Sequence, residues 1–180
     1  MPETPSLSRF RFFSEVPQKA LEAISAACKV VDFPAQTVVF QPGEPADTLY
    51  CMVEGEVELS LEVHDKSLKV DVRHEESVHA QMLDHVRVIV VDTVRSGQIF
   101  GWTALAGSGK RAVIAKCSRA TRVCALPAAE LNGMIAKDPA LGHLIFKRLA
   151  EIIAKRLNAR TDRLIEAWVE AFGASKVTLQ

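Results

Sequence analysis

Polar and apolar positions change period along the 180-residue chain. In VPQKALEAISAA, residues 16–27, Leu21 and Ile24 recur at helical spacing, with Pro17 suited to a first turn, so a small N-terminal helix is predicted. The period then shortens. Within TLYCMVEGEVELSLEV, residues 48–63, Val57, Leu59, Leu61 and Val63 alternate with Glu56, Glu58, Ser60 and Glu62, the mark of a strand with one wet face. Short apolar runs recur at QTVVF (36–40), HVRVIVVDTV (85–94), AVIAKC (112–117) and RVCAL (122–126), separated by QPGEPAD, RSGQ and FGWTALAGSGKRAVI. Short strands broken by glycine and proline turns predict a sandwich or barrel and not a parallel α/β sheet. After Pro127, AAELNGMIAK reads as helix, and Asp138-Pro139 opens a longer one. Leu141, Leu144, Ile145, Leu149, Ile152, Ile153, Leu157, Leu164, Ile165 and Trp168 recur there at three- and four-residue steps to about Phe172. That helix would run on the order of 45 Å at 1.5 Å per residue. One small barrel cannot cover such a stripe, which predicts a partner helix.

Composition narrows the classes. A chain this long buries roughly two thirds of the surface its unfolded form exposes, so folding needs no metal or disulfide. With 22 basic and 22 acidic residues the net charge is zero, and any anion site must be local. Cys28, Cys51, Cys117 and Cys124 form no CxxC pair and sit in apolar patterns, as reduced core thiols do. No signal peptide or membrane-length apolar run is evident, so a cytoplasmic protein is expected, without membrane contact. HDKSLKVDVRHEESVHAQMLD, between the strand ending near Val63 and the one starting near His85, carries four of the five histidines if His85 is counted. It lacks HxH or HExxH spacing and reads as a solvated excursion before a metal site. On the long helix, Lys147, Arg148, Lys155, Arg156, Arg160 and Arg163 interleave with Glu151, Asp162 and Glu166, the pattern of a solvated face, and direct nucleic-acid binding is not expected.

The chemistry concentrates in FGWTALAGSGKRAVI, residues 100–114. It is not a nucleoside-triphosphate loop. Reading back from Gly109 and Lys110, the first required glycine falls on Ala104, and Arg111 stands where Ser or Thr should follow the lysine. A short turn over Thr103–Ala106 after Gly101 would present unpaired amides to an anion, and Arg111 would add a forked, charged donor. The bland alternatives are a polar turn and a surface arginine paired with an acid.

A leading helix, a roll of short strands, a small-residue segment with an arginine and a long terminal helix together resemble the cyclic-nucleotide-binding domain of the catabolite activator protein family. The pieces that carry the resemblance are QPGEPADTLYCMVEGEVELS and VDTVRSGQIFGWTAL leading to Arg111, within a likeness spanning about Leu7 to Trp168. It implies a mainly β domain with flanking α-helices, a β-roll or jelly roll (double-stranded β-helix). Residues 1–15 would be a leader, 16–138 the roll with its N-terminal and short helices, 139–172 a long dimerisation helix and 173–180 a tail. It also implies a phosphate-binding cassette over residues 100–113, with Gly101, Trp102, Thr103, Ala104, Leu105, Arg111 and Ala112 at the ligand and Arg160 and Thr161 facing the base.

The implied effector is a cyclic nucleotide (cAMP or cGMP) or another phosphate ligand. No cofactor is required and no catalytic residue stands out. The implied assembly is a homodimer through the terminal helix, with a further protein partner to hear the signal and without the DNA-binding domain of the family's transcription factors. Two positions depart from the pattern. Trp102 stands where binders carry a glutamate for the ribose hydroxyl, and Ala112 where a Ser or Thr bonds the phosphate. An indole donates and cannot accept. Trp102 therefore either stacks on a base or fills the ligand's space, which would leave a scaffold that keeps the fold. A cupin-type metalloenzyme is the remaining alternative, and it lacks the closely spaced histidines.

Overall fold

A computed structural model describes residues 6–74, 77–106 and 109–173, with the backbone alone described over 65–74 and 77–85. Eight strands form two antiparallel four-stranded sheets flanked by helices. They are β1 (Lys29–Phe33), β2 (Val38–Phe40), β3 (Thr48–Glu54), β4 (Glu56–His74), β5 (Ser77–Arg95), β6 (Ile99–Phe100), β7 (Ile114–Cys117) and β8 (Thr121–Pro127). The orders are β1-β8-β3-β6 and β2-β7-β4-β5, the mainly β roll that the short alternating runs predict.

Two cores form, one between the sheets and one between the first sheet and the helices. Phe40, Met52, Val57, Val94, Phe100 and Val123 fill the roll. Leu49, Cys51, Ile99, Cys124 and Leu126 face the helices instead. Residues 48–63 divide at Gly55 into a strand of each sheet. Its φ of 100° and the 2.5 Å that would separate an added Cβ from Thr121 Oγ1 confine that corner to glycine.

The stretch assigned to a leader folds into two 3-10 turns, Leu7–Arg9 and Arg11–Phe13, which bury Leu7, Phe10, Phe12 and Phe13. Leu7, Phe10 and Phe13 recur every third residue, the period of a 3-10 helix, and so escape a search for periods of 3.6 or 2. The helices are α1 (Gln18–Ala27), α2 (Ala128–Lys137) and α3 (Pro139–Phe172). Asp138 caps α3 by accepting from the amides of Ala140 and Leu141 at 3.0 and 3.1 Å, with proline at the first position.

The histidine-bearing excursion is a continuation of the sheet. β4 and β5 pair from Glu56↔Arg95 out to His74↔Ser77, setting Leu68 opposite Met82, Val70 opposite Ala80 and Val72 opposite Val78. Those residues alternate with polar ones in both strands, a period-2 signal hidden by their high charge. The side chains of His74, His79 and His85 lie outside the described residues, and with them most of the metal reading. Among the described residues no group of three His, Cys, Asp or Glu could hold a metal ion.

α3 divides in two. Leu141, Ile145 and Leu149 are buried, whereas Leu157, Leu164 and Trp168 are about 60% exposed. Ala150, Ala154, Leu157, Thr161, Leu164, Trp168 and Ala171 are all exposed and follow one another at alternating four- and three-residue steps, the seam of a coiled coil.

Candidate functional site

β6 ends at Phe100, and Gly101 turns the chain with a φ of 73° into a single 3-10 turn, Trp102–Ala104. The turn begins one residue earlier than the sequence suggests. Amides of Ala104, Leu105 and Ala106 return to the carbonyls of Gly101 and Trp102 at 3.1, 2.9 and 3.3 Å. The orphan donors of such a turn are those that precede its first internal bond, here on Trp102 and Thr103. Gly107 and Ser108 lie outside the described residues. From Gly109 the chain is clamped to the loop before β3. Arg111 donates its amide to Glu44 O at 2.8 Å, Gly43 donates to Arg111 O at 2.9 Å, and Ala46 donates to Gly109 O at 2.8 Å. QPGEPAD is thus the second wall of the segment that holds Arg111.

Arg111 is not a surface residue. Its side chain is 2% exposed, with Nη1 donating to Gly101 O at 3.0 Å and Nη2 to Thr48 O at 2.8 Å. The guanidinium lies over the Phe40 ring, 4.3 Å from its centroid, and 5.8 Å from that of Tyr50. Tyr50 in turn stacks on Phe100 at 4.9 Å. Its nearest carboxylate in an ion pair is Asp47, 3.9 Å away and largely in solvent, while Arg111 Nε is buried without a hydrogen-bond partner. Burial lowers the guanidinium's affinity for its proton, and Tyr50, Asp47 and Glu44 oppose the shift. Arginine keeps its charge regardless. A cation is therefore held against carbonyls and ring faces with no acid among the described residues within hydrogen-bond range.

Gly101 is what admits it. A Cβ there would lie 2.8 Å from Arg111 Nη1, 3.0 Å from Thr48 O and 3.1 Å from Tyr50 Cδ2. Thr103, Ala104 and Leu105 sit in the same turn, half-buried, and Ala112 is exposed beside Arg111. Trp102 is half-buried and packs with Leu105 against the helix-side core, a cluster that includes neither Phe40 nor Tyr50. Arg160 and Thr161 are exposed on α3, where the Thr161 hydroxyl donates to Leu157 O at 3.0 Å, and none of Arg111's bonds or ion pairs reaches them.

Sequence reasoning missed Arg111's partners Thr48, Phe40 and Tyr50. They lie on other strands, and no motif marks them. It also misjudged two arginines of α3. Arg148 and Arg156 are 13% and 17% exposed: Arg148 pairs with Glu15 and with Glu151 of its own helix, and Arg156 turns toward the roll. Arg156 donates to Ile99 O at 2.7 Å and stands 3.3 Å from Asp92 Oδ2. Arg111 and Arg156 thus grip the carbonyls on either side of Phe100.

Several known proteins resemble this chain. A protein named as a potassium channel protein in Rhodopseudomonas palustris is 26% identical over 121 residues, which cover 67% of this chain and 24% of that one. A CRP-like cAMP-activated global transcriptional regulator of Mycobacterium tuberculosis is 23% identical over 160 residues, 89% of this chain and 61% of that one. The chain spans less than two thirds of either relative. The crystal structure of a cyclic nucleotide-binding domain from Methylobacillus flagellatus shares the fold with a TM-score of 0.65 at 16% identity, covering 98% of this chain and 84% of that one. The Thermus thermophilus catabolite activator protein does so with a TM-score of 0.58 at 19% identity, covering 88% and 63%. Residues 30–138, from β1 through α2 and including Gly101 and Arg111, match the family described as cyclic nucleotide-binding domain, and the chain belongs to that family.

Proposed function

We propose that the chain is a non-catalytic sensor that takes a small phosphate-bearing effector at the Gly101–Ala112 cassette and passes its occupancy to α3. The observation that carries this is Arg111: a buried cation with no carboxylate among the described residues within hydrogen-bond range, beside a turn that opens with orphan amides. A phosphodiester would give the guanidinium an anionic acceptor in place of neutral carbonyls, and charge-assisted bonds are roughly twice as strong as neutral ones. Trp102 in place of an acidic acceptor, and Ala112 in place of a hydroxyl, weaken the case for a ribose-reading site and favour an effector recognised chiefly through its phosphate. A cyclic nucleotide is the first candidate on family grounds.

The route to α3 is short. A ligand that draws Arg111 away from Gly101 O loosens one end of the Ile99–Gly101 segment, whose other end Arg156 holds from α3. The exposed seam from Ala150 to Ala171 fits a second copy of α3, so the sensor would act as a homodimer whose helix packing depends on the ligand.

Calorimetry with cyclic AMP and cyclic GMP tests the site, using wild type and Arg111→Lys. The lysine keeps the charge and loses the fork, so affinity should fall by roughly tenfold or more. Equal affinity in the two proteins would remove Arg111 from the site. No heat with either nucleotide at high concentration would favour the scaffold reading, for which the specific observation is that two of Arg111's donors already have carbonyl partners.

A further inference from the structure

We propose a second anion site, distinct from the cassette, in the cavity between the N-terminal 3-10 turns, the β5–β6 turn and the first half of α3. Its ligand class is a small organic oxyanion with an apolar body and a hydroxyl. The cavity has a volume of about 310 Å³, and Arg111 is not among its lining residues. Arg11, Arg148, Lys155 and Arg156 line it against only Asp92 and Glu151. Glu15 reaches Arg148 at 2.6 Å from outside that lining, and positive charge remains in excess even with it counted.

Hydrogen-bonding capacity is left over in the same walls. Of four buried side-chain polar atoms without a hydrogen-bond partner among the described residues, three belong to lining residues: Asp92 Oδ2, which keeps an ion pair with Arg156 Nε at 3.3 Å, Arg148 Nε, whose two Nη atoms pair with Glu15 and Glu151, and Arg156 Nη1. Buried polar groups in folded proteins are ordinarily satisfied, so such clustering marks a place where something else supplies the bonds. Water could satisfy the atoms but would not offset the surplus of cations. An oxyanion would do both, accepting from the two arginines, while a hydroxyl on the ligand would donate to Asp92. Phe12, Ile99 and Ile152 supply an apolar wall for the remainder, in keeping with pockets that combine apolar lining with a few convergent polar groups. Because Arg156 also holds Ile99 O, occupancy here would act on the segment that the cassette shares.

The test is a ¹H–¹⁵N NMR titration of the full chain with phenyl phosphate, mandelate, inorganic phosphate and benzyl alcohol. Saturable shifts at the amides of Gln98, Ile99 and Ile152 are expected with phenyl phosphate, mandelate or both, and the tighter of the two identifies the oxyanion. Inorganic phosphate should bind more weakly, and benzyl alcohol should leave these amides unmoved. Lys155→Glu, at an exposed position of the wall, should weaken binding by roughly tenfold, as loss of a charge-assisted contact does. Ala159→Phe should block the cavity. Arg111→Lys should weaken nucleotide binding while saturable anion shifts at Ile152 persist, which separates this site from the cassette. Shifts as large with benzyl alcohol as with the anions, or unaltered affinity in Lys155→Glu, would overturn the proposal, as would no saturable shift with either organic anion.

Discussion

Arg111, buried, and Arg156, half-buried, are two cations that hold the same three-residue segment from opposite ends. Each donates to a backbone carbonyl, of Gly101 and Ile99 respectively, and the difference between them lies in the counter-charge. Arg156 has Asp92, partly buried, at 3.3 Å; burial lowers its hold on the proton, Asp92 restores part of it and the neighbouring Arg160 charge lowers it again. Among the described residues Arg111 has one ion pair, to Asp47 at 3.9 Å with its side chain 78% exposed, in a medium that screens the attraction. A charge whose partner is built into the protein fixes a structure. A charge whose partner is missing creates affinity for one.

The largest way to break this contrast is to remove the room that Arg111 occupies. Gly101→Ala places a Cβ 2.8 Å from Nη1 and 3.0 Å from Thr48 O, on a backbone with φ of 73°. The left-handed conformation alone costs about 1–2 kcal/mol for a side-chain-bearing residue, and displacing the guanidinium adds to it. Urea unfolding should show a loss of about 2–3 kcal/mol, and cyclic-nucleotide heats should vanish with it. Full stability together with full binding would mean that the guanidinium does not sit where its carbonyl partners place it.

A second comparison sets the two acids against each other. Asp92→Ala leaves Arg156 half-enclosed without its carboxylate, and after allowance for the solvent that still reaches both side chains the expected cost is about 1–2 kcal/mol. Asp47→Ala should fall within about 0.5 kcal/mol of wild type, as exposed pairs do. Thermal or urea midpoints of the two variants decide it. Equal losses would show that Arg111 is compensated by the protein after all, and would leave the cassette with no unmet charge.

Much of this was legible before any coordinates, and the reasons differ by element. α2 and α3 could be bounded because Pro127, Asp138-Pro139 and a 3.6-residue apolar period signal start, cap and face together. The roll was legible from alternation and turn residues, and the approach of Arg111 to the turn at Gly101 follows from the positions the resemblance singles out. Partners brought together by topology were not. Thr48, Phe40 and Tyr50 reach Arg111 across other strands, and Arg148 and Arg156 look like any solvated basic face until α3 lies against β5 and β6. Charge interleaving describes a helix in isolation and is silent on which of its arginines the fold encloses. The N-terminal phenylalanines were hidden for another reason, since a period of three belongs to neither template.

The smallest expected effect sharpens what the cassette lacks. Ala112 is exposed beside Arg111, so Ala112→Ser should change stability by less than about 0.5 kcal/mol. A hydroxyl there adds one donor for a phosphate oxygen, and a single hydrogen bond contributes about 0.5–1.5 kcal/mol. Affinity for cyclic AMP or cyclic GMP should therefore tighten by between about twofold and tenfold. Asp92→Ala provides the contrast, because its loss falls on Arg156, and a cassette read chiefly through phosphate should keep most of its nucleotide affinity. Calorimetric Kd values for the two variants measured beside wild type carry the test. An Ala112→Ser protein no tighter than wild type would place the phosphate away from this edge of the turn, and Arg111 would then have to meet its anion from the Thr48 side.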